Sequence, residues 1–181
     1  GEGGMITTTR MDLAERLQSW VDHGRVEGSR IEALTSNLRM SEILAAMGRI
    51  QLKKLDQWQI RRQEIAALHS AAIADHQLLH APRVRAGAVH GWHQYTLRCE
   101  YSQELISHLE GRGIDARIHY KIPCHRQPVM KNHPQHPVGS LPITERICEQ
   151  LVSIPVHPLL SEEEIIRIHT ALDEFTLPQQ T

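Results

Sequence analysis

A chain of 181 residues with 20 Lys+Arg against 21 Asp+Glu, and a formal net charge of -1, lacks the continuous basic surface that nucleic-acid binding requires. Three widely spaced cysteines, Cys99, Cys124 and Cys148, argue against a disulfide framework or a zinc knuckle and for a reducing compartment, the cytoplasm. No apolar run is long enough to cross a bilayer, and the first residues have neither the basic head nor the apolar centre of a signal peptide, so no membrane partner is expected.

The chain opens with Gly1-Glu2-Gly3-Gly4 where a reading frame would start with Met, which leads to the expectation either of a truncated or processed chain or of a true start at Met5 with tag residues ahead of it. Met5-Ile6-Thr7-Thr8-Thr9 is β-prone, and Asp12 is placed to cap a helix from Leu13 to Val21 that Gly24 stops. Residues 25–36 have no sustained period and read as a loop. From Met40 the apolar residues recur at helical spacing, through Ile43, Leu44, Met47, Ile50, Leu55 and Trp58, and no proline intervenes before Pro82. One long helix from about Ser41 to about Asp75, bent once or broken near Gly48 or Asp56, is the prediction.

Beyond Pro82 short strands and helices alternate. His93–Cys99 reads as a strand, Ser102–Gly111 as a helix, and Ala116–Tyr120 as the next strand. The proline- and histidine-rich stretch Ile122–Pro142 is too long for a mere connection. Thr144–Gln150 reads as a helix and Leu151–Ile154 as a strand, and Ser161 with Glu162, Glu163 and Glu164 opens a last helix to Phe175. The fold class expected is α/β (α+β), a long helix packed on a small, mostly antiparallel sheet.

A series of landmarks runs through the chain: Gly1-Glu2-Gly3-Gly4, His23-Gly24, Asn37-Leu38-Arg39-Met40, Gln51–Asp56 and Arg61-Arg62. It continues with His93-Gln94-Tyr95, Gly113–Ala116, His119–Gln127 and Ser153–Pro158. In this order they resemble the sugar aminotransferases of the DegT/DnrJ/StrS family. That resemblance implies a fold-type-I pyridoxal-phosphate enzyme, a homodimer with sites shared between subunits. Its reaction would carry an amino group from an amino-acid donor to a keto sugar linked to a nucleotide.

It also implies a division of the chain. Residues 1–36 would end the large cofactor domain, 37–80 would form a long connecting helix, and 81–181 would form the C-terminal small domain. Asn37 is similar to the asparagine that reaches the phosphate of the neighbouring subunit's cofactor, and Arg39 to the arginine that meets anionic substrate groups. Tyr120 and His125 fall in the segment that approaches the sugar. The family's Schiff-base lysine stands a few residues before the Gly-Glu-Gly-Gly run. None of Lys53, Lys54, Lys121 or Lys131 has its context, so the chain alone is expected to be inactive, with no catalytic residue of its own. The chain departs from the family at Thr35-Ser36, ahead of the asparagine, and at His69, where relatives often carry Tyr.

Plainer readings compete with these. Asn37 would also suit a helix cap or a turn of the chain, and Arg39 a pairing with Glu42 one turn on. His119, His125, His133 and His136 bring a metal to mind, but they lack a helical i, i+4 pair and prolines interrupt them, so no metal is expected. The alternative to a transaminase part is a non-catalytic, self-associating binding module or remnant domain.

Overall fold

The computed structural model describes residues 3–130 and 139–177. Lys131, His133 and His136 lie outside the described residues. The chain divides into two compact units, Gly1–Leu55 and Asp56–Thr181.

In the first unit, helix α1 spans Met11–Val21, and Asp12 sits in its first turn, with Arg10 at the capping position. Gly24 ends the helix as expected: at φ +75° its N–H donates to Ser19 O at 2.8 Å. The β-prone residues 5–9 form no strand, because no neighbouring strand among the described residues takes up their backbone groups. Residues 25–36, expected as a loop, contain instead a short antiparallel hairpin of β1 (Arg25–Glu27) and β2 (Arg30–Ile31), turned at Gly28 with φ +52°. Helix α2 (Glu42–Leu52) starts at Ser41, whose hydroxyl accepts from Leu44 N. Between residues 3 and 55 no apolar side chain is buried; Met5, Ile43 and Leu34 are among those fully or largely exposed.

The predicted long helix is two helices. Its second part, α3, runs over Leu55–Ala72, and the break falls at Lys53-Lys54, just short of Asp56. In the second unit, β3 (Tyr95–Arg98) pairs antiparallel with β4 (Leu151–Ile154), Tyr95 opposite Ile154 and Arg98 opposite Leu151. Single bridges extend this sheet, His80 to Arg98 on one side and Arg117 to Ser153 on the other. The strand expected over 116–120 is thus reduced to one bridge at Arg117. Thr96 and Ser153 hydroxyls meet across the strands at 2.8 Å.

Helices α4 (Ser102–Glu110), α5 (Pro142–Gln150) and α6 (Glu162–Asp173) complete the unit. Pro142 occupies the first turn of α5, where a missing N–H costs nothing, and Ser161 with Glu164 closes a capping box on α6. Two 3-10 turns, Cys124–Arg126 and Pro128–Met130, occupy part of the segment expected as a loop.

The core lies wholly in this second unit, with Ile65 from α3, Leu97 from β3, Leu105 from α4, Val152 from β4 and Leu172 from α6 all fully buried. Helix α3 joins the sheet through the Ser70–Tyr95 hydroxyl pair at 2.9 Å. Imidazoles hold the C-terminal end: a carbonyl only accepts, so His108 Nε2 donates to Ala171 O at 2.7 Å and His76 Nε2 to Phe175 O at 3.2 Å. Truncating Leu105 to Ala should cost about 2–5 kcal/mol, read as a lowered urea midpoint, because its fully buried site leaves a cavity that the packed neighbours cannot close.

Candidate functional site

Two sets of side chains, one in each unit, carry the chemistry that the sequence singles out. In the first unit the end of α1 and the segment after the hairpin are laced together: Thr35 Oγ1 donates to Trp20 O, Leu38 N to Val21 O, and Asp22 and Asn37 form a bridge. That lacing sets Asn37 and Arg39 beside Asp22. Asn37 Oδ1 accepts from both the backbone N and the Nε of Arg39, each at 3.1 Å. The far side of the guanidinium donates to Asp22 Oδ1 at 2.8 Å.

On this geometry the helix cap and the Glu42 pairing fail, while the bond from Arg39 N to Asn37 Oδ1, two residues apart, is the turn that an asparagine also makes. Ser41 is the cap of α2, so Asn37 is not, and the arginine pairs with Asp22 where Glu42 was the alternative. With its oxygen committed to Arg39, Asn37 has its two Nδ2 protons as remaining donors, and no acceptor among the described residues takes them. Arg39 keeps half its side-chain surface exposed. Beside Asp22 opens a groove of about 850 Å³ that Trp20, Arg25 and Glu32 also line. An amide that donates and a guanidinium fixed by a carboxylate are donors suited to phosphate or carboxylate oxygens. They fit the phosphate end of pyridoxal phosphate.

In the second unit Tyr120 is largely exposed, its ring edge-on to His119 at 5.5 Å between centroids. The Nδ1 of His119 is buried without a hydrogen-bond partner among the described residues. His125, nearly enclosed, donates from Nε2 to Glu145 Oε1 at 2.9 Å. Glu145 also takes the fork of Arg126, Nε on Oε1 at 3.1 Å and a terminal nitrogen on Oε2 at 3.2 Å. The guanidinium first, then the imidazole, the Leu141 N–H and the Ser140 hydroxyl lower the Glu145 carboxyl to about 2. Asp22 and Glu145 are the two residues that sequence reading missed. Each meets its partner across 17 or 20 residues, a separation at which no local pattern signals a contact.

Among the described residues no group of three His, Cys, Asp or Glu is arranged to hold a metal ion, and no helix is long and apolar enough to cross a membrane. The three cysteines are free thiols.

These two sets of groups sit on an α+β chain that matches part of a pyridoxal-phosphate aminotransferase fold. The chain belongs to the DegT/DnrJ/EryC1/StrS aminotransferase family, whose profile matches residues 1–173. It is 35% identical to the dTDP-3-amino-3,4,6-trideoxy-alpha-D-glucose transaminase of Streptomyces venezuelae over 175 residues, which make up 97% of this chain and 46% of that protein. Against the dTDP-3-amino-3,6-dideoxy-alpha-D-galactopyranose transaminase of Aneurinibacillus thermoaerophilus the identity is 34%, over 96% of this chain and 47% of the relative. The crystal structure of S. venezuelae DesV superposes with a TM-score of 0.85 at 35% identity, covering 92% of this chain and 45% of that one. The chain thus spans about half the length of the curated relatives it matches.

Proposed function

We propose that this chain is the C-terminal part of a pyridoxal-phosphate-dependent aminotransferase that acts on nucleotide-linked keto sugars with an amino-acid donor. The observation that carries the reading is the Asn37–Arg39–Asp22 arrangement, in which the amide has only donors left to offer and a charged fork is fixed beside it. When bound, the cofactor supplies an electron sink for amino-group transfer. Asn37 donates to its phosphate across a homodimer seam, Arg39 meets an anionic group of the substrate, and Tyr120 and His125 face the sugar. The dTDP-linked products named for two relatives favour a thymidine-diphosphate sugar.

The lysine that anchors the cofactor belongs, in this reading, to the large domain outside this chain. Lys53 and Lys54 follow the last turn of α2, and Lys121 is exposed. The chain alone therefore grips a phosphate but does not transaminate, and it works in the cytoplasm, where its thiols stay reduced. The exposed apolar side chains of residues 3–55 also support the second reading, a self-associating module.

The test is a titration of the full chain with pyridoxal phosphate, followed through the Asn37 side-chain amide signals in a 15N spectrum. The proposal expects those signals to move, and Asn37→Ala to weaken binding about tenfold, the value of one charge-assisted hydrogen bond. Signals that stay still at saturating pyridoxal phosphate, in a sample that sediments as a dimer, would favour the non-catalytic module.

A further inference from the structure

Glu145 gathers more polar partners than any reading of the sugar-facing segment has used. Its Oε1 accepts from His125 Nε2 and Leu141 N at 2.9 Å, and from Arg126 Nε and Ser140 Oγ at 3.1 Å; its Oε2 accepts from Arg126 at 3.2 Å. The donors come from two places in the chain, the turn Cys124–Arg126 and the residues just ahead of α5. One carboxylate in the first turn of a helix therefore ties both to the helix end, where negative charge is favoured. Because an ionised carboxylate can only accept, the proton of His125 is held on Nε2 and the ring plane is set by the bond.

We propose that Glu145 is a positioning residue for substrate recognition, acting through His125. Its carboxylate holds the imidazole in the Nε2–H form and, with the Arg126 fork, fixes the backbone of the turn that carries it. The inference rests on the reading that His125 faces the sugar. It adds a residue that itself touches no substrate. The low proton affinity of Glu145 keeps the acceptor charged throughout the neutral range. A carboxamide replaces it in part: with its oxygen in the Oε1 position it still accepts from His125 Nε2, Leu141 N and Arg126 Nε and turns its NH2 only toward the Arg126 nitrogen on Oε2, whereas Glu145→Ala removes every bond.

The experiment uses the full chain and two probes, dTDP and dTDP-glucose, whose affinity ratio isolates the contribution of the sugar. Glu145→Ala should lower that ratio about tenfold, with the affinity for dTDP itself nearly unchanged, and Glu145→Gln, which keeps an acceptor for His125, should restore part of it. His125→Ala separates the two claims. A ratio unaffected by His125→Ala overturns the sugar-facing assignment of His125. A ratio lowered by His125→Ala and untouched by Glu145→Ala overturns the role of Glu145. The imidazole 15N shifts of His125 in the unaltered chain give a reading that needs neither variant nor ligand. The Nε2–H form is the expected result, and the Nδ1–H form would overturn the proposal.

Discussion

Acidification from pH 6.5 to about 4 should cost the second unit on the order of 3 kcal/mol of unfolding free energy, and His69 is the reason. Its ring is fully buried on α3, and that burial lowers its proton affinity from 6.5 to about 4. The carbonyl of Pro155, after β4, accepts from Nε2 at 2.9 Å, which leaves Nδ1 bare to accept from His169 of α6, also at 2.9 Å. Tyr95 of β3 packs edge-on at 5.1 Å, and no carboxylate is among these neighbours to stabilise a cation.

The sign follows from proton counting. Below pH 6.5 the unfolded chain takes up a proton that the folded chain refuses, so stability is complete above that value, falls through the window, and levels off below about 4. His169, itself lowered by burial, adds to the loss in the same direction. Glu145 acts in a lower window: what it contributes is present above the ordinary carboxylate range and is lost as pH falls toward 2. Urea unfolding of the chain and of His69→Leu at a series of pH values provides the measurement. The variant should start less stable, with Pro155 O and His169 unpaired, and should show a shallower slope between pH 4 and 6.5. Equal slopes would remove His69 from the account.

Replacing Gly24 with Ala should dismantle the local structure that holds Asn37 and Arg39. A Cβ at this position would stand 2.1 Å from the main-chain oxygen of Ala33 and 2.9 Å from its carbonyl carbon, contacts that only a backbone shift can relieve. The left-handed φ of +75° adds roughly 1–2 kcal/mol for any residue with a Cβ. Gly24 O also accepts from Glu32 N, so a displaced Gly24 releases the return strand that leads to Asn37. Gly28 is the control. It too has positive φ, but a Cβ there meets nothing within 4 Å, so Gly28→Ala carries the conformational cost alone. Hydrogen exchange at the Glu32 and Leu38 amides should accelerate at least tenfold in Gly24→Ala and far less in Gly28→Ala. Equal protection in the two variants would contradict this account of the turn.

Much of the second unit was legible from local chemistry. The Ser161–Glu164 pair marked α6 because first-turn donors must be capped, and β3 fell inside the strand read over His93–Cys99; α5 was read from Thr144, while Pro142, assigned to the loop before it, opens the helix because its missing N–H costs nothing there. The same reasoning failed where pairing decides. Met5–Thr9 and Ala116–Tyr120 are both β-prone, yet the first forms no strand and the second only the bridge at Arg117, since β propensity expresses itself only beside a neighbour. The hairpin at 25–31 went unseen because two or three residues a side are too few to show a period.

Asn37, Arg39, Tyr120 and His125 stood out in the sequence because a side chain's donors and charge, and its place in an ordered set of motifs, are carried by the chain itself. The same holds for the family, read from those motifs in order and matched over residues 1–173. Tertiary structure alone decided their partners. Asp22 closes on Arg39, Glu145 on His125, and His169 on His69 across 100 residues. Such bonds depend on how helices and strands come together in three dimensions, and a hydrogen bond is blind to the length of chain between its ends.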